Sequence, residues 1–137
     1  MNNKIMEYLN QNKSSSFSML LFSLIDEKMD NLRVADALEE VIDIFRRCNK
    51  YIDETMPWVL AKDEIKQDRL ATVLYNLVEA IRIGTVLLRA FMPETSDKIF
   101  YQINTGLKEF HTINEFGGYE SGIKVNSPEV LFQRIEI

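Results

Sequence analysis

Cysteine and histidine are scarce in this chain of 137 residues, and the scarcity of each excludes a class of functional site. The single cysteine, Cys48, excludes an internal disulfide and a cysteine-rich zinc site. His111 is the only histidine, so the chain cannot assemble a multi-histidine metal site, and no partners for a histidine-based triad can be argued. No other pattern typical of an active site is present. We therefore expect no catalytic centre, no metal and no cofactor in this chain.

Positive charge is also in short supply. Lysine and arginine total 16 against 21 acidic residues, which leaves a net charge of −5. A surface of that sign repels the phosphate backbone, which argues against non-specific nucleic-acid binding and against DNA as a partner. A negative net charge does not exclude a local basic patch that binds a few bases. The longest apolar run, residues 17–25, is too short to cross a bilayer, so we expect a cytoplasmic protein with no membrane association.

Apolar residues at helical spacing dominate the chain. A hydrophobic content of 46% with only 5 glycines and 3 prolines indicates one ordered domain. Steps of three and four between apolar positions predict helices over 17–31, 33–55, 64–91 and 93–104. The predicted core positions include Val34, Ala37, Val41 and Cys48 in the second helix and Ile65 and Leu74 in the third. Pro57 ends the second of these, because the residue before a proline is pushed out of the helical region.

The fold class that follows is all-α, an antiparallel helical bundle with an extended C-terminal tail. Residues 1–16 form a polar N-terminal segment, and residues 17–115 form the bundle. Residues 116–137 contain three glycines and a proline, which predict turns and extended chain, with a short strand as an alternative. The helix at 17–31 is apolar on nearly all sides, so it requires neighbours on more than one side.

Burial, helix capping and close helix packing can each be predicted at one residue. Cys48 falls at a core-spaced position, so we interpret it as a buried small hydrophobe rather than a reactive thiol. Asp63 stands where it can cap the third helix. Gly84 lies inside that helix at a cost of about 1 kcal/mol relative to alanine, which indicates close packing against another helix.

The stretch "NKYIDETMPWVLAKDE", residues 49–64, contains the only tryptophan, Trp58, in a corner between two helices. Arg46, Arg47 and Lys50 precede it and Lys62 follows it, forming the densest basic patch of the chain. A rigid exposed indole beside such a patch is suited to stacking on an unpaired base, as in the recognition of RNA loops. The residues alone favour the alternative that Trp58 plugs the corner between helices, because tryptophan is usually well buried.

Three blocks of this sequence resemble a known family. "RCNKYIDETMPWVLAKDE" is similar to the Asn-Lys-Tyr-Ile-Asp-Glu-x-x-Pro-Trp-x-Leu-Ala-Lys segment in the anticodon-binding domain of methionyl-tRNA synthetases. The corner at 90–95, "AFMPET", is similar to that family's Pro-Phe-Met-Pro-Glu-Thr, and the tail at 116–137 is similar to its Gly-x-x-Val-x-x-Pro-x-x-Leu-Phe-Pro-Arg-Ile ending. The resemblance covers residues 30–137, with the blocks in the same order.

The resemblance implies a helical bundle and a set of anticodon-binding residues. It implies that Trp58 stacks on a base of the CAU anticodon of methionine tRNA, that Pro57 shapes the corner and that Asp53 lies near the anticodon. We therefore expect the Trp58 ring to be at least partly exposed. Three further candidates rest on their proximity to the corner: Asn49, Arg46 and Lys50.

The resemblance also implies partners for the chain. The family joins methionine to its tRNA using ATP, so ATP and methionine are expected to bind a catalytic domain whose motifs are missing here. No match is found for the family's Asn-x-x-x-Arg helix. We therefore interpret the chain as a fragment or truncated relative, with methionine tRNA and that catalytic domain as expected partners. The alternative is a stand-alone interaction module, which has lost tRNA reading and dimerises through the apolar helix at 17–31.

Overall fold

The computed structural model describes residues 16–136, with side chains from residue 23 onward, so most of the polar segment predicted at 1–16 lies outside the described residues. The described residues contain five α-helices: α1, Ser16–Asp30; α2, Val34–Thr55; α3, Pro57–Leu60; α4, Gln67–Leu88; and α5, Pro93–Gln102. Short 3₁₀ helices cover Glu64–Lys66 and Phe110–Ile113. The described chain contains no strand, and the all-α prediction is confirmed.

Helix α2 packs against α1 on one side and α4 on the other. Three of its predicted core residues, Ala37, Val41 and Cys48, are buried as expected. Ile44 and Tyr51 are buried as well, because contact with two neighbouring helices widens the buried face beyond a single stripe. The prediction for Val34 is wrong, because it lies exposed in the first turn of the helix.

Helix α4 forms the centre of the bundle and contacts α2, α3 and α5. The predicted helix at 64–91 is too long at both ends, since its first residues form a 3₁₀ turn and α4 ends at Leu88. Asp63 caps this start as predicted, with Oδ1 accepting the Ile65 N–H at 3.0 Å. Ile65 itself is 93% exposed, contrary to its predicted core position, because it belongs to the 3₁₀ turn and not to the α-helical stripe. Leu74 is also more exposed than its predicted place in the core requires.

The predicted close packing at Gly84 is confirmed. A Cβ atom at this position would lie 3.1 Å from Cζ of Phe45 and 3.2 Å from Cγ2 of Ile44. Helices α2 and α4 therefore pack closely at a position where one of them has no side chain.

The apolar composition of α4 serves the protein core. Glu64–Leu88 is long and apolar enough to meet the length and hydropathy criteria for a membrane span, but 61% of its apolar window is buried inside the bundle. Burial of that extent is what the central helix of a packed domain shows.

The tail from residue 116 to 136 contains turns, bends and irregular chain, and the alternative of a short strand is not observed there. Backbone and side-chain hydrogen bonds attach it to the end of α5. The N–H of Asn126 donates to the Gln102 carbonyl at 2.9 Å, and Asn104 Nδ2 donates to the Lys124 carbonyl at 3.0 Å. The Tyr119 hydroxyl donates to the Ile103 carbonyl at 2.7 Å.

Candidate nucleic-acid interface

The corner between α2 and α3 is built around one backbone conformation. Helix α2 ends at Thr55, and Met56 adopts the left-handed region with φ 45° and ψ 62°. Its N–H donates to the Ile52 carbonyl at 2.9 Å and so closes α2. Its carbonyl accepts the Val59 N–H at 2.9 Å and so opens α3. Pro57 occupies the first position of α3, where a missing N–H costs nothing.

Trp58 is displayed outward from this corner, with 51% of its surface exposed. Leu60, two residues later, is partly buried and packs against the core. The Ala61 N–H donates to the Pro57 carbonyl at 2.9 Å, so the short helix is closed by its own backbone. The expectation of a partly exposed ring is confirmed, and a fully buried corner plug is not what the chain forms. A side chain exposed to this extent is accessible to a partner before binding, as stacking on a base requires.

Four candidate residues lie on one face of the last turns of α2. Arg46, Asn49, Lys50 and Asp53 are all exposed. Spacings of three, four and seven residues place them within one sector of the helix surface, and α2 turns its buried residues away from that sector. The fold therefore brings these four side chains together on the outer face of α2, which ends at the Trp58 corner.

The basic patch on α2 is largely neutralised by neighbouring carboxylates. Arg46 forms a hydrogen-bonded ion pair with Glu39 and lies 3.9 Å from a carboxylate oxygen of Asp43. The hydrogen bond to Glu39 raises the pKa of the Arg46 guanidinium. Lys50 Nζ lies 3.7 Å from a carboxylate oxygen of Glu54. These groups are exposed, so the ion pairs are weak and exchange with solvent or with another anion at little cost.

The two lysines that follow the corner, Lys62 and Lys66, differ in their ion pairs. Lys62 is exposed and has no ion pair within the described part of the chain. Lys66 Nζ lies 3.1 Å from Oδ2 of Asp63, and that hydrogen bond lowers the pKa of the Asp63 carboxyl.

Sequence reasoning missed a buried ion pair in α4. Glu79 and Arg82 are both fully buried, and Arg82 Nε donates to Oε2 of Glu79 at 2.7 Å. Charged residues three apart inside an otherwise apolar helix were the available signal, because a charge is buried only when it is paired.

The buried pair binds the loop that follows α5. Glu79 accepts the N–H groups of Gly117, Gly118 and Tyr119 at 3.0 to 3.1 Å. Arg82 Nη2 donates to the Thr112 carbonyl at 2.9 Å. The pair therefore fixes the position of residues 112–119 against α4.

Residues 16–136 contain no group of three or more histidine, cysteine, aspartate or glutamate side chains that could hold a metal ion. A shallow surface pocket of about 520 Å³ lies on the loop after α5, between Leu107 and Gly118. It includes no residue of the Trp58 corner, so the corner is an exposed surface and not part of that pocket.

These features define the class of protein: a helical domain that exposes its one tryptophan at a corner fixed by a proline. Residues 13–137 match the family model described as the anticodon binding domain of methionyl tRNA ligase. The methionine–tRNA ligase of Clostridium acetobutylicum is 48% identical over 113 residues, covering 82% of this chain and 18% of that protein. The corresponding ligase of Bacillus subtilis is 41% identical over 114 residues, covering 81% and 17%.

A solved structure agrees with this assignment. The crystal structure of apo Mycobacterium tuberculosis methionyl-tRNA synthetase matches with a TM-score of 0.75 and 27% identity, covering 85% of this chain and 24% of that one. The chain belongs to the family of anticodon-binding domains of methionyl tRNA ligase. It spans about a fifth of the length of the curated relatives that it matches.

Proposed function

We propose that this chain binds the anticodon loop of methionine tRNA, with Trp58 stacking on a base of the CAU anticodon. The exposure of the Trp58 ring is the observation that supports this most directly. Stacking of a base on an aromatic face stabilises a complex by about 1–3 kcal/mol, and it requires a ring that is accessible before binding. Tryptophan is usually well buried, so an indole that is half exposed on a fixed corner is informative.

The outer face of α2 supplies the polar part of the proposed site. Asp53 and Asn49 can exchange hydrogen bonds with base edges, while Arg46 and Lys50 can contact phosphates. Both cations are held by carboxylates on the same helix, at distances of up to 3.9 Å. A phosphate that displaces these carboxylates gains a contact while leaving acidic groups nearby. This arrangement favours a loop docked in one orientation over general attraction of RNA.

We propose that the catalytic reaction takes place in another part of a larger enzyme. Relatives of this chain are named methionine–tRNA ligases and are about five times longer than the matched segment. ATP and methionine would bind the catalytic part of such a ligase, with which this domain would act, and the cytoplasm is where such translation enzymes work. In that assembly the chain selects the tRNA and the catalytic part performs the reaction.

The second candidate function is a stand-alone module that dimerises through the apolar helix predicted at 17–31. Ile25 in α1 is buried against the bundle, and Lys28 pairs with Glu40 of α2. These contacts commit part of α1 to its own chain. The family assignment favours tRNA binding over this alternative.

Anticodon specificity is the direct test. Labelled stem-loops of methionine tRNA are titrated with the chain, one with the CAU anticodon and one with a changed anticodon. We expect the CAU loop to bind at least about tenfold more tightly, a difference of roughly 1.4 kcal/mol. Trp58→Ala should remove most of this preference, whereas Tyr101→Ala, which deletes another exposed aromatic, should keep it. Equal binding of both loops would contradict the proposal.

A further inference from the structure

We infer that Met56 is the positioning residue of the anticodon-reading corner: its left-handed backbone, rather than its side chain, sets the direction of the Trp58 ring. The inference rests on the proposed function for its effect on RNA binding, but its geometric content concerns the chain alone. Met56 lies two residues before Trp58 and connects α2 to α3.

The backbone of Met56 forms one hydrogen bond with each of the two helices. Its N–H completes the last turn of α2 by donating to Ile52, and its carbonyl begins α3 by accepting from Val59 at 2.9 Å. The φ of 45° reverses the chain between these two bonds. If residue 56 were in the right-handed helical region, the chain would continue in the direction of α2. Pro57 opposes this, because a proline disfavours the right-handed helical region for the residue before it.

The outward direction of the indole follows from this reversal and from Leu60. Successive side chains on an α-helix lie about 100° apart, so residues two apart point to nearly opposite sides. Leu60 packs against the core, and Trp58 therefore faces solvent. The reversal at Met56 sets the orientation of α3 on the bundle, and with it which of these two opposed side chains faces the core.

The side chain of Met56 does not explain the choice of conformation. It is 46% exposed and is absent from the buried core. A non-glycine residue in the left-handed region is uncommon, and such residues gather at functional sites where the surroundings enforce them. Met56 is one of three non-glycine residues in the described chain with positive φ, and the only one of them next to a candidate binding residue.

Four variants separate backbone from side chain. Met56→Ala removes the side chain without adding branching, and Met56→Asn introduces a residue that tolerates the left-handed region. Met56→Ile and Met56→Val introduce β-branched side chains that disfavour it strongly. Each variant is checked for retained helical circular dichroism and is measured well below its unfolding temperature. Two β-branched variants are included so that misfolding of either one leaves a second test.

The first readout needs no RNA. Acrylamide quenching of Trp58 emission should be unchanged in Met56→Ala and Met56→Asn, and it should change in Met56→Ile and Met56→Val because the ring is redirected. The second readout is affinity for the CAU stem-loop. We expect Ala and Asn to bind within about threefold of the original chain, and the β-branched variants to lose roughly tenfold.

Failure of the inference differs from failure of the proposed function. Unchanged quenching and unchanged affinity in folded Met56→Ile and Met56→Val would overturn the inference. A tenfold loss in Met56→Ala would also overturn it, because the side chain would then contribute the effect. If the original chain shows no anticodon preference, the proposed function fails, and the quenching comparison still decides whether Met56 positions Trp58.

Discussion

Glu79 and Arg82 face each other one helical turn apart on α4, joined by two hydrogen bonds of 2.7 Å, with neither side chain exposed to solvent. The same two groups bind the backbone of the loop at 112–119. Because each charge is neutralised by the other and its remaining hydrogen-bonding atoms meet the loop backbone, the pair can be accommodated in the core. The position of this loop therefore depends on two residues of the central helix.

Breaking this pair should be strongly destabilising. Arg82→Met leaves the Glu79 carboxylate buried without its partner, and we expect the free energy of unfolding to fall by about 3–5 kcal/mol. Urea denaturation measures this change. The control is Arg89→Ala, which removes an exposed ion pair to Glu109 and should cost at most about 1 kcal/mol. Equal costs for the two variants would show that the buried pair is not a major stabilising contact.

Gly84 sets how closely α2 and α4 approach. Gly84→Val adds a branched side chain where even a Cβ lies 3.1 Å from the Phe45 ring, and we expect a loss of about 1–3 kcal/mol. Gly106→Val is the control, since no atom lies within 4 Å of a Cβ at that loop position. The comparison is made by thermal unfolding. A Gly84→Val chain as stable as the control chain would contradict the packing argument.

Cys48 should be unreactive in the folded chain and should make stability fall at high pH. Burial raises the pKa of its thiol to about 12, so the folded state holds its proton at pH values where the unfolded chain has lost it. Stability is therefore retained below the unfolded thiol pKa, near 9, and declines toward pH 12 by up to about 1.4 kcal/mol per pH unit.

A thiol-reactive dye checks both statements. It should label the chain in urea but not the folded chain at pH 8. Cys48→Ala should weaken the pH dependence of stability above pH 9, leaving the part due to the raised tyrosine pKa values of Tyr75 and Tyr119. Rapid labelling of the folded chain would contradict the burial of Cys48.

The outer face of α2 should contribute affinity through phosphate contacts. Arg46→Ala and Lys50→Ala are each expected to weaken binding of the CAU and changed-anticodon loops alike, and to reduce the slope of log K against log salt by about 1. Lys98→Ala is a suitable control, because Lys98 is an equally exposed lysine, on α5, paired with Glu129 at 3.9 Å. An unchanged salt slope in both α2 variants would exclude these residues from phosphate contact.

Periodicity alone predicted the bundle because each long helix has a face that must be buried. It predicted α2 to within one residue at its start, and Pro57 marked its end. It failed at Ile65, where a capped 3₁₀ turn replaces the first turn of the helix and leaves an apolar residue in solvent. The spacing of apolar residues cannot distinguish a 3₁₀ turn from the first turn of an α-helix.

The site was less accessible to sequence reasoning than the fold. Trp58 was identified by its isolation beside Pro57, but its direction depends on the left-handed backbone of Met56, which no residue preference for methionine indicates. The role of Glu79 and Arg82 depends on a loop more than 25 residues away, so the sequence indicated only that two charges lay within an apolar helix.

The proposed stacking of Trp58 on an anticodon base can be measured directly. Trp58 is the only tryptophan, so its fluorescence reports on that ring alone. We predict that titration with methionine tRNA quenches the emission in a saturable manner and that a tRNA with a different anticodon quenches it far less. Absence of quenching, or equal quenching by both tRNAs, would contradict the account.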